Sequence, residues 1–470
     1  MAKRSIARKR KKHNQKNWIA TPQAPLCALG EVLRVREVFQ PLHDTVSIPQ
    51  KTVVYRPTDK LVFVVLGMLS GAETVSEIQS KVRPDRGFLA AFGYQSCADA
   101  SVIQQTLDAS TQATVASLEA ALAQVRLKEG RWHQVSSEGQ EEIRVDIDVS
   151  PLPIGKHAEG SKKGYIAKKQ NTYTRQLARW VCGDTQEIFS QELYAGDTRC
   201  DTVFKPMLGK LETVLGLDTA SKRSRVRLRF DAGFGTDANI NYALWRGYQL
   251  IGKIYTSRRI QKLVATVETW VSVPTRKGIN GREAGWVKQP HRYARRTVQI
   301  AVRTPKKDGT WSYAVLVSTD MTATLAALVL EYDQRSGAPE SSFCQDYQAL
   351  SLRKYRKSGF IAQQVLLLLA QLAHNLMIWM KAWFIEAVET PQDASEKTEN
   401  SHRKAKDMLQ SRGLKRLRRD ILALRGKVCF EGKKVVGIRL NPLYPMITHV
   451  STACKALFQQ YEMLVLLDKT

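Results

Sequence analysis

"IRVDIDVSPLPI", from Ile143 to Ile154, decides how the rest of the chain reads. Ile143, Val145, Ile147 and Val149 alternate with Arg144, Asp146, Asp148 and Ser150 until Pro151 breaks the run. Side chains on a strand point alternately to its two faces, so four apolar residues take one face and two acids share the other. Two acids on one strand face are unexpected in a chain this basic.

The neighbouring segments extend the pattern. "NTYTRQLARWVC" (171–182) and "QEIFSQELYAG" (186–196) read as strands, and "CDTVFKPMLGKLETVLG" (200–216) as a helix. "SRVRLRFDAGFG" (224–235) is a strand with Val226, Leu228 and Phe230 on one face, and Asp231 lies at its end before a glycine turn. A helix (237–248) and a strand (249–256) follow. Strands first, then alternating helix and strand, predict an α/β (α+β) fold with a mixed sheet flanked by helices. Residues 256–320 hold β-type segments ("ATVETWVSV", "RRTVQIAVRT", "WSYAVLVST") between Lys, Gly and Pro turns, and read as an antiparallel insertion.

Composition narrows the partner. Lys and Arg number 72 against 44 acids in 470 residues, a formal charge of +28, which implies a polyanion: nucleic acid or an anionic membrane surface. The long apolar run from Phe360 to Phe384 is interrupted by Gln363, Gln364, Gln371, His374 and Asn375, each costly in hydrocarbon, so it reads as a buried core helix and no membrane partner is expected. The N-terminus has a basic cluster without a following apolar region, unlike a secretory signal. Seven scattered cysteines with no CxxC pair, and eight histidines with no HExxH, argue against a disulfide framework and structural zinc. A metal here would be held by carboxylates, which suits Mg²⁺, with Mn²⁺ as a substitute.

Residues 58–129 show helical patterning in several short pieces and one longer helix. Short helices on a basic protein fit a helix-turn-helix-like DNA reader, in which "CADASVIQQTLD" would present Ser101, Gln104 and Gln105 to base edges; a plain helical scaffold has the same pattern. Residues 1–16 contain eight Lys or Arg and no acid, as either a solubilising tail or a phosphate-binding arm does.

Asp148 and Asp231 stand at strand ends on polar faces, and Glu340 lies in a helical region downstream. Adjacent strands and a covering helix can bring three such carboxylates together. Three converging carboxylates bind two divalent ions about 3.5–4 Å apart and support in-line displacement at phosphorus. Taken singly, each strand-end Asp also fits a turn former.

The surrounding residues carry a resemblance. "VDIDVSPLPI", "KKGY", "RLRFDAGFG", "HRYARRTVQIAV" and "EYDQRSGAPE", in that order, resemble a bacterial insertion-sequence DDE transposase with an RNase H-like catalytic core. The last stretch resembles the Tyr-Arg-Glu-Lys signature of the cut-and-paste branch, as Tyr332, Arg335 and Glu340, and "AHNL" in the downstream helix resembles the same family. The resemblance implies Mg²⁺-dependent cleavage and strand transfer at terminal inverted repeats by Asp148, Asp231 and Glu340. It favours Asp148 over Asp146 as the ligand because Ser150 follows closely, leaving Asp146 as an accessory acid. It further implies that Tyr332 and Arg335 hold the phosphate beside the scissile bond. A homodimer on paired DNA ends, hairpin intermediates, and a cytoplasmic, nucleoid-associated bacterial protein are implied too. Two departures stand out. Arg335 and Glu340 are one residue further apart than the signature, and Tyr347 replaces its Lys, so that contact falls to Lys354 or is missing. If hairpins form, Trp286, in the Gly- and Lys-containing segment "GREAGWVKQPHRY" that reads as a loop, is placed to stack on an expelled base; core packing is its alternative.

The resulting map is a basic tail (1–16), an N-terminal extension (17–57), a helical DNA-binding domain (58–129), a catalytic core in two parts (130–255 and 321–386) around a β-rich insertion (256–320), a linker (387–405) and a C-terminal DNA-binding or dimerisation region (406–470). Two other readings share the sequence: a repurposed, non-catalytic DNA-binding protein, and a Mg²⁺ nuclease that cuts without joining.

Overall fold

The computed structural model describes residues 18–52, 54–133, 142–166, 169–274, 281–335, 339–390 and 396–468. The basic tail lies outside them. The chain divides into two compact units, Gly130–Cys344 and the combination of Met1–Glu129 with Gln345–Thr470.

In the first unit the strands are β1 (Ile143–Pro153), β2 (Lys162–Ile166), β3 (Lys169–Cys182), β4 (Ile188–Ala195), β5 (Val226–Phe230), β6 (Gln249–Lys253), β7 (Val271–Ser272), β8 (Glu283–Trp286), β9 (Val298–Pro305) and β10 (Trp311–Ser318). The helices are α1 (Cys200–Leu215), α2 (Asp237–Arg246), α3 (Ser257–Val264), α4 (Leu325–Arg335) and the start of α5 (Pro339–Ala349), whose residues from Gln345 on belong to the second unit. All ten strands join one sheet, in the order β2-β3-β1-β5-β6-β10-β9-β8-β7 with β4 also paired to β3. β3 runs antiparallel to both β1 and β4, while β5 is parallel to β1 and β6 parallel to β5. The five strands β4-β3-β1-β5-β6 thus form the mixed sheet that the sequence predicts.

Alternation in the strands builds this core. Val145, Ile147, Trp180, Leu228 and Phe230 pack with Phe204 and Met207 of α1 and Ile240 and Leu244 of α2. The other face is covered as well: Leu328, Val329 and Tyr332 of α4 pack on Ile251, Ile300, Val302 and Leu316. The acids of β1 therefore lie on a face that is closed over part of its area.

The segment expected as a separate β-rich insertion is built differently. β10 pairs antiparallel with β6, so β7 to β10 prolong the central sheet. β6 would otherwise leave an unpaired edge, and β10 can fill it because both its faces are apolar: Val315 and Val317 join one core cluster, Leu316 the other. Residues 257–264, which precede the first of the β-type segments, form α3, whose Ile260 and Leu263 reach the core at i, i+3 spacing.

In the second unit the 30-residue helix Phe360–Glu389 packs against helices Pro57–Ser70, Gln112–Glu129, Glu396–Gln410 and Ile447–Gln459. It is apolar all round, as a helix buried in a core must be. Its polar side chains have partners: His374 Nδ1 lies 2.6 Å from Asp346 Oδ1, and Gln363 Nε2 donates to the Tyr355 carbonyl at 3.0 Å. The stretch read as a linker is helical up to Glu389 and again from Glu396, where Ala405, Met408 and Leu409 supply a buried stripe. Residues 17–57 contribute strand Trp18–Thr21, paired with Gly426–Cys429, and the buried helix Ala24–Val35. The basic "GLKRLRRDILALR" makes one α turn, Leu414–Leu417, and then a π turn, Arg418–Leu422, instead of a regular helix.

Candidate active site

Register places the acids. β1 and β5 are parallel with Asp146 opposite Arg229, so two residues further on Asp148 comes level with Asp231. On the other side, Asp148 faces Arg179 of β3. One row across neighbouring strands thus reads Arg179, Asp148, Asp231. Parallel strands lie about 4.8 Å apart, so the backbone alone sets the spacing of the two carboxylates.

The layer beneath the row explains the second acid of β1. Asp146 is fully buried, and Arg229 Nε and Nη2 donate to its two oxygens at 2.6 and 2.7 Å. Burial pushes the Asp146 carboxyl up, and the hydrogen bonds and charge of Arg229 pull against it. Arg229 Nη1 also donates to the Glu331 carbonyl of α4. Asp146 is therefore an ion-pair anchor between β1, β5 and α4, with both its oxygens occupied by Arg229.

Asp231 is held by a tight turn. Its Oδ1 accepts from Gly233 N at 2.9 Å, and its carbonyl accepts from Phe234 N. Thr236 then caps α2 by accepting from Asn239 N, and Asn239 Nδ2 donates to the Phe234 and Asp201 carbonyls. Asp148 Oδ1 accepts from Val149 N at 2.8 Å. Both carboxylates act on one thiol: burial first, then Asp231 and Asp148, pushes Cys200 at the start of α1 up to about 11. Beside the row opens a cleft of about 840 Å³, bordered by Val149, Gly233, Cys200, Lys163, Arg199 and Tyr255.

α4 brings cations over the same site. Tyr332 and Arg335 are buried, 6% and 5% exposed, so Arg335 is no surface ion-pair residue. Its guanidinium lies 5.7 Å from the Tyr332 ring centroid, and Nη1 donates to the Ile147 carbonyl. Burial opposes the Arg335 charge, but Tyr332, Asp148, Asp231 and Asp146 outweigh it and raise its pKa.

Glu340 sits in the first turn of α5, and its side chain lies outside the described residues. Two residues later, Ser342 Oγ accepts from Arg179 Nη1 at 3.0 Å, while the Arg179 guanidinium stacks 4.3 Å from the Phe343 ring. The start of α5 is thereby tied to the row. No group of three or more His, Cys, Asp or Glu arranged to hold a metal occurs among the described residues. The described donors that face Mg²⁺ chemistry are two hard carboxylates, Asp148 and Asp231, a set that suits the ion and is incomplete without a third ligand.

The other sequence-derived candidates fall elsewhere. Lys354 pairs with Glu73, and Arg353 stacks 3.9 Å from the Tyr347 ring, both in the second unit. Ser101, Gln104 and Gln105 lie on helix Ala100–Asp108: Ser101 N and Oγ donate to the capping Asp99, Gln104 Nε2 donates to Ser76 Oγ, and Gln105 is exposed. Trp286 is in strand β8, not a loop, opposite Ile300, and is 38% exposed. It fits the strand because Ile300 offers an apolar cross-strand neighbour.

Gly235 closes the Asp231 turn against β6, and a Cβ built there would lie 1.7 Å from the Lys253 carbonyl oxygen. Gly235→Ala should therefore cost about 1–3 kcal/mol through forced backbone displacement. Urea unfolding checks this; an unchanged midpoint would show that the turn yields freely.

No protein-family model matches the chain, and no curated protein matches it. Among solved structures it is similar to a piggyBac transposase, determined by cryo-EM as a synaptic complex with hairpin DNA, at 12% identity over 86% of each chain with a TM-score of 0.45.

Proposed function

We propose that this chain is a DDE transposase that cuts and joins DNA at the terminal inverted repeats of its own element. One observation carries the reading: Asp148 within β1 comes level with Asp231 at the end of the adjacent parallel β5, with the buried Arg335 guanidinium in their field.

In this reading Asp148 and Asp231 hold Mg²⁺, with Glu340 as the third ligand. The bound metal would supply charge neutralisation and activation of an attacking oxygen. Arg335 is suited to grip a phosphate oxygen, because its planar fork matches phosphate geometry. Tyr332 holds that guanidinium in place through its ring. In the first step a water oxygen bonds to phosphorus and the 3′-oxygen leaves, giving a 3′-hydroxyl and a 5′-phosphate. In the second, that 3′-hydroxyl attacks a target phosphodiester and displaces the target's own 3′-oxygen. The net charge of +28 and the basic tail serve DNA binding, and a homodimer would pair the two ends.

The test is incubation of the full chain with Mg²⁺ and duplex DNA carrying the repeats that flank its own coding sequence, with products mapped to the nucleotide. Breaks at the repeat ends bearing 3′-hydroxyls are expected, together with joining of a pre-cut 3′-end to target duplex. Breaks without joining would make it a nuclease, and binding without breaks a DNA-binding protein.

A further inference from the structure

The row continues one strand beyond the acids. β5 and β6 are parallel with Phe230 opposite Gly252, so the next residues in phase are Asp231 and Lys253. Lys253 Nζ lies 5.1 Å from the Tyr332 ring centroid, the ring that also carries Arg335. Two cations thus flank one tyrosine beside Asp231.

The two cations that repel Lys253 are engaged: Arg282 is paired with Asp333, and Arg335 donates to the Ile147 carbonyl. The Lys253 ammonium makes no hydrogen bond or ion pair among the described residues. Burial first, then repulsion from Arg335 and Arg282, lowers its pKa, with Asp231 and Asp333 acting against them. A partly buried cation without a counter-ion is unfavourable until something anionic arrives. Lys354 cannot be compared with it, since that ammonium is already paired with Glu73.

We propose that Lys253 is a phosphate-contact residue whose ammonium binds a non-bridging oxygen of the phosphodiester presented to Asp148 and Asp231. This rests on the reading of the site as one that cleaves DNA. The contact comes from a strand, so its position is fixed by the same backbone register as the acids. A compact ammonium suits one oxygen, leaving the forked Arg335 for the others.

The experiment uses the full chain as wild type, Lys253→Met and Lys253→Arg, with an uncut duplex that spans the end of the terminal repeat and its flank as probe. Affinity is measured across salt concentrations without divalent metal, and single-turnover cleavage is measured in Mg²⁺. Lys253→Met should weaken binding roughly tenfold, as loss of a charge-assisted hydrogen bond does. It should also reduce the slope of log K against log salt by about 1. Lys253→Arg should restore the slope. On a duplex with a neutral methylphosphonate at the mapped scissile position, wild type and Lys253→Met should bind alike. Met keeps the length and the contact with Tyr332, and a melting curve verifies its fold. An unchanged slope in folded Lys253→Met overturns the proposal, even if cleavage falls. Wild type that binds but never cuts defeats the DNA-cleavage reading, while the slope still decides whether Lys253 meets a phosphate. Failure of the wild type to bind the duplex overturns both.

Discussion

Asp148→Asn and Asp231→Asn should each lower Mg²⁺-dependent cleavage by about 10³-fold or more, equivalent to at least ~4 kcal/mol of transition-state stabilisation. Asn keeps the shape and the turn-forming oxygen, so the acceptor role of Asp231 toward Gly233 N survives. What is lost is one negative charge and one hard ligand. DNA affinity should stay within about twofold, since long-range attraction comes from the many cations elsewhere. Single-turnover cleavage and filter binding on the same preparation check both parts. Asp231→Asn that cuts at the wild-type rate would show that this carboxylate holds no metal.

The second large effect concerns stability. Arg229→Met should cost about 3–5 kcal/mol, because it leaves the Asp146 carboxylate buried without its partner. Replacing both residues, as Asp146→Leu with Arg229→Met, should recover most of the loss, since an apolar pair of similar volume is often neutral or better by about 1–4 kcal/mol. Denaturant unfolding of the two single variants and the double variant measures the coupling. The double variant should still cut DNA if Asp146 serves only as an anchor. A folded double variant with no cleavage, beside an active Asp148→Asn, would transfer the ligand role to Asp146.

The part of the fold that was legible in the sequence is the part written in local alternation. "IRVDIDVS" and "RLRFD" show both their strand character and their faces, and the helices between them carry apolar residues at helical spacing. Partners across strands are not local. That Asp146 answers Arg229 follows from β1 and β5 being parallel with a particular offset, and neither segment states that offset. The row of Asp148 and Asp231 depends on the same offset; Asp231 does stand at the end of its strand, whereas Asp148 sits inside β1, which runs on through Pro151 to Pro153 paired with β3, and the levelness of the two was not readable. Lys253 left a signal that went unread: "RLRFD" and "QLIGK" have equal length and each ends on a charge. The helix at Glu396–Gln410 was hidden because its apolar stripe begins only at Ala405. Strand Trp18–Thr21 was hidden because its partner lies some four hundred residues away, at Gly426–Cys429. Trp286 looked like a loop residue because its four-residue strand is flanked by Gly, Lys and Pro.

The pairing of β6 with β10 has a consequence for how such chains vary. The polypeptide leaves β6 at Lys253, adds β7, β8 and β9 beyond β10 in the same sheet, and returns beside β6 on β10. Everything between is an excursion whose two feet stand side by side. Its contour length is decoupled from the geometry of the acids, so chains with shorter or longer excursions would keep the same site. Counting residues from the second acid to the third is then a poor ruler for finding kin. The phase between two acids on adjacent strands, held by backbone hydrogen bonds, is the durable mark.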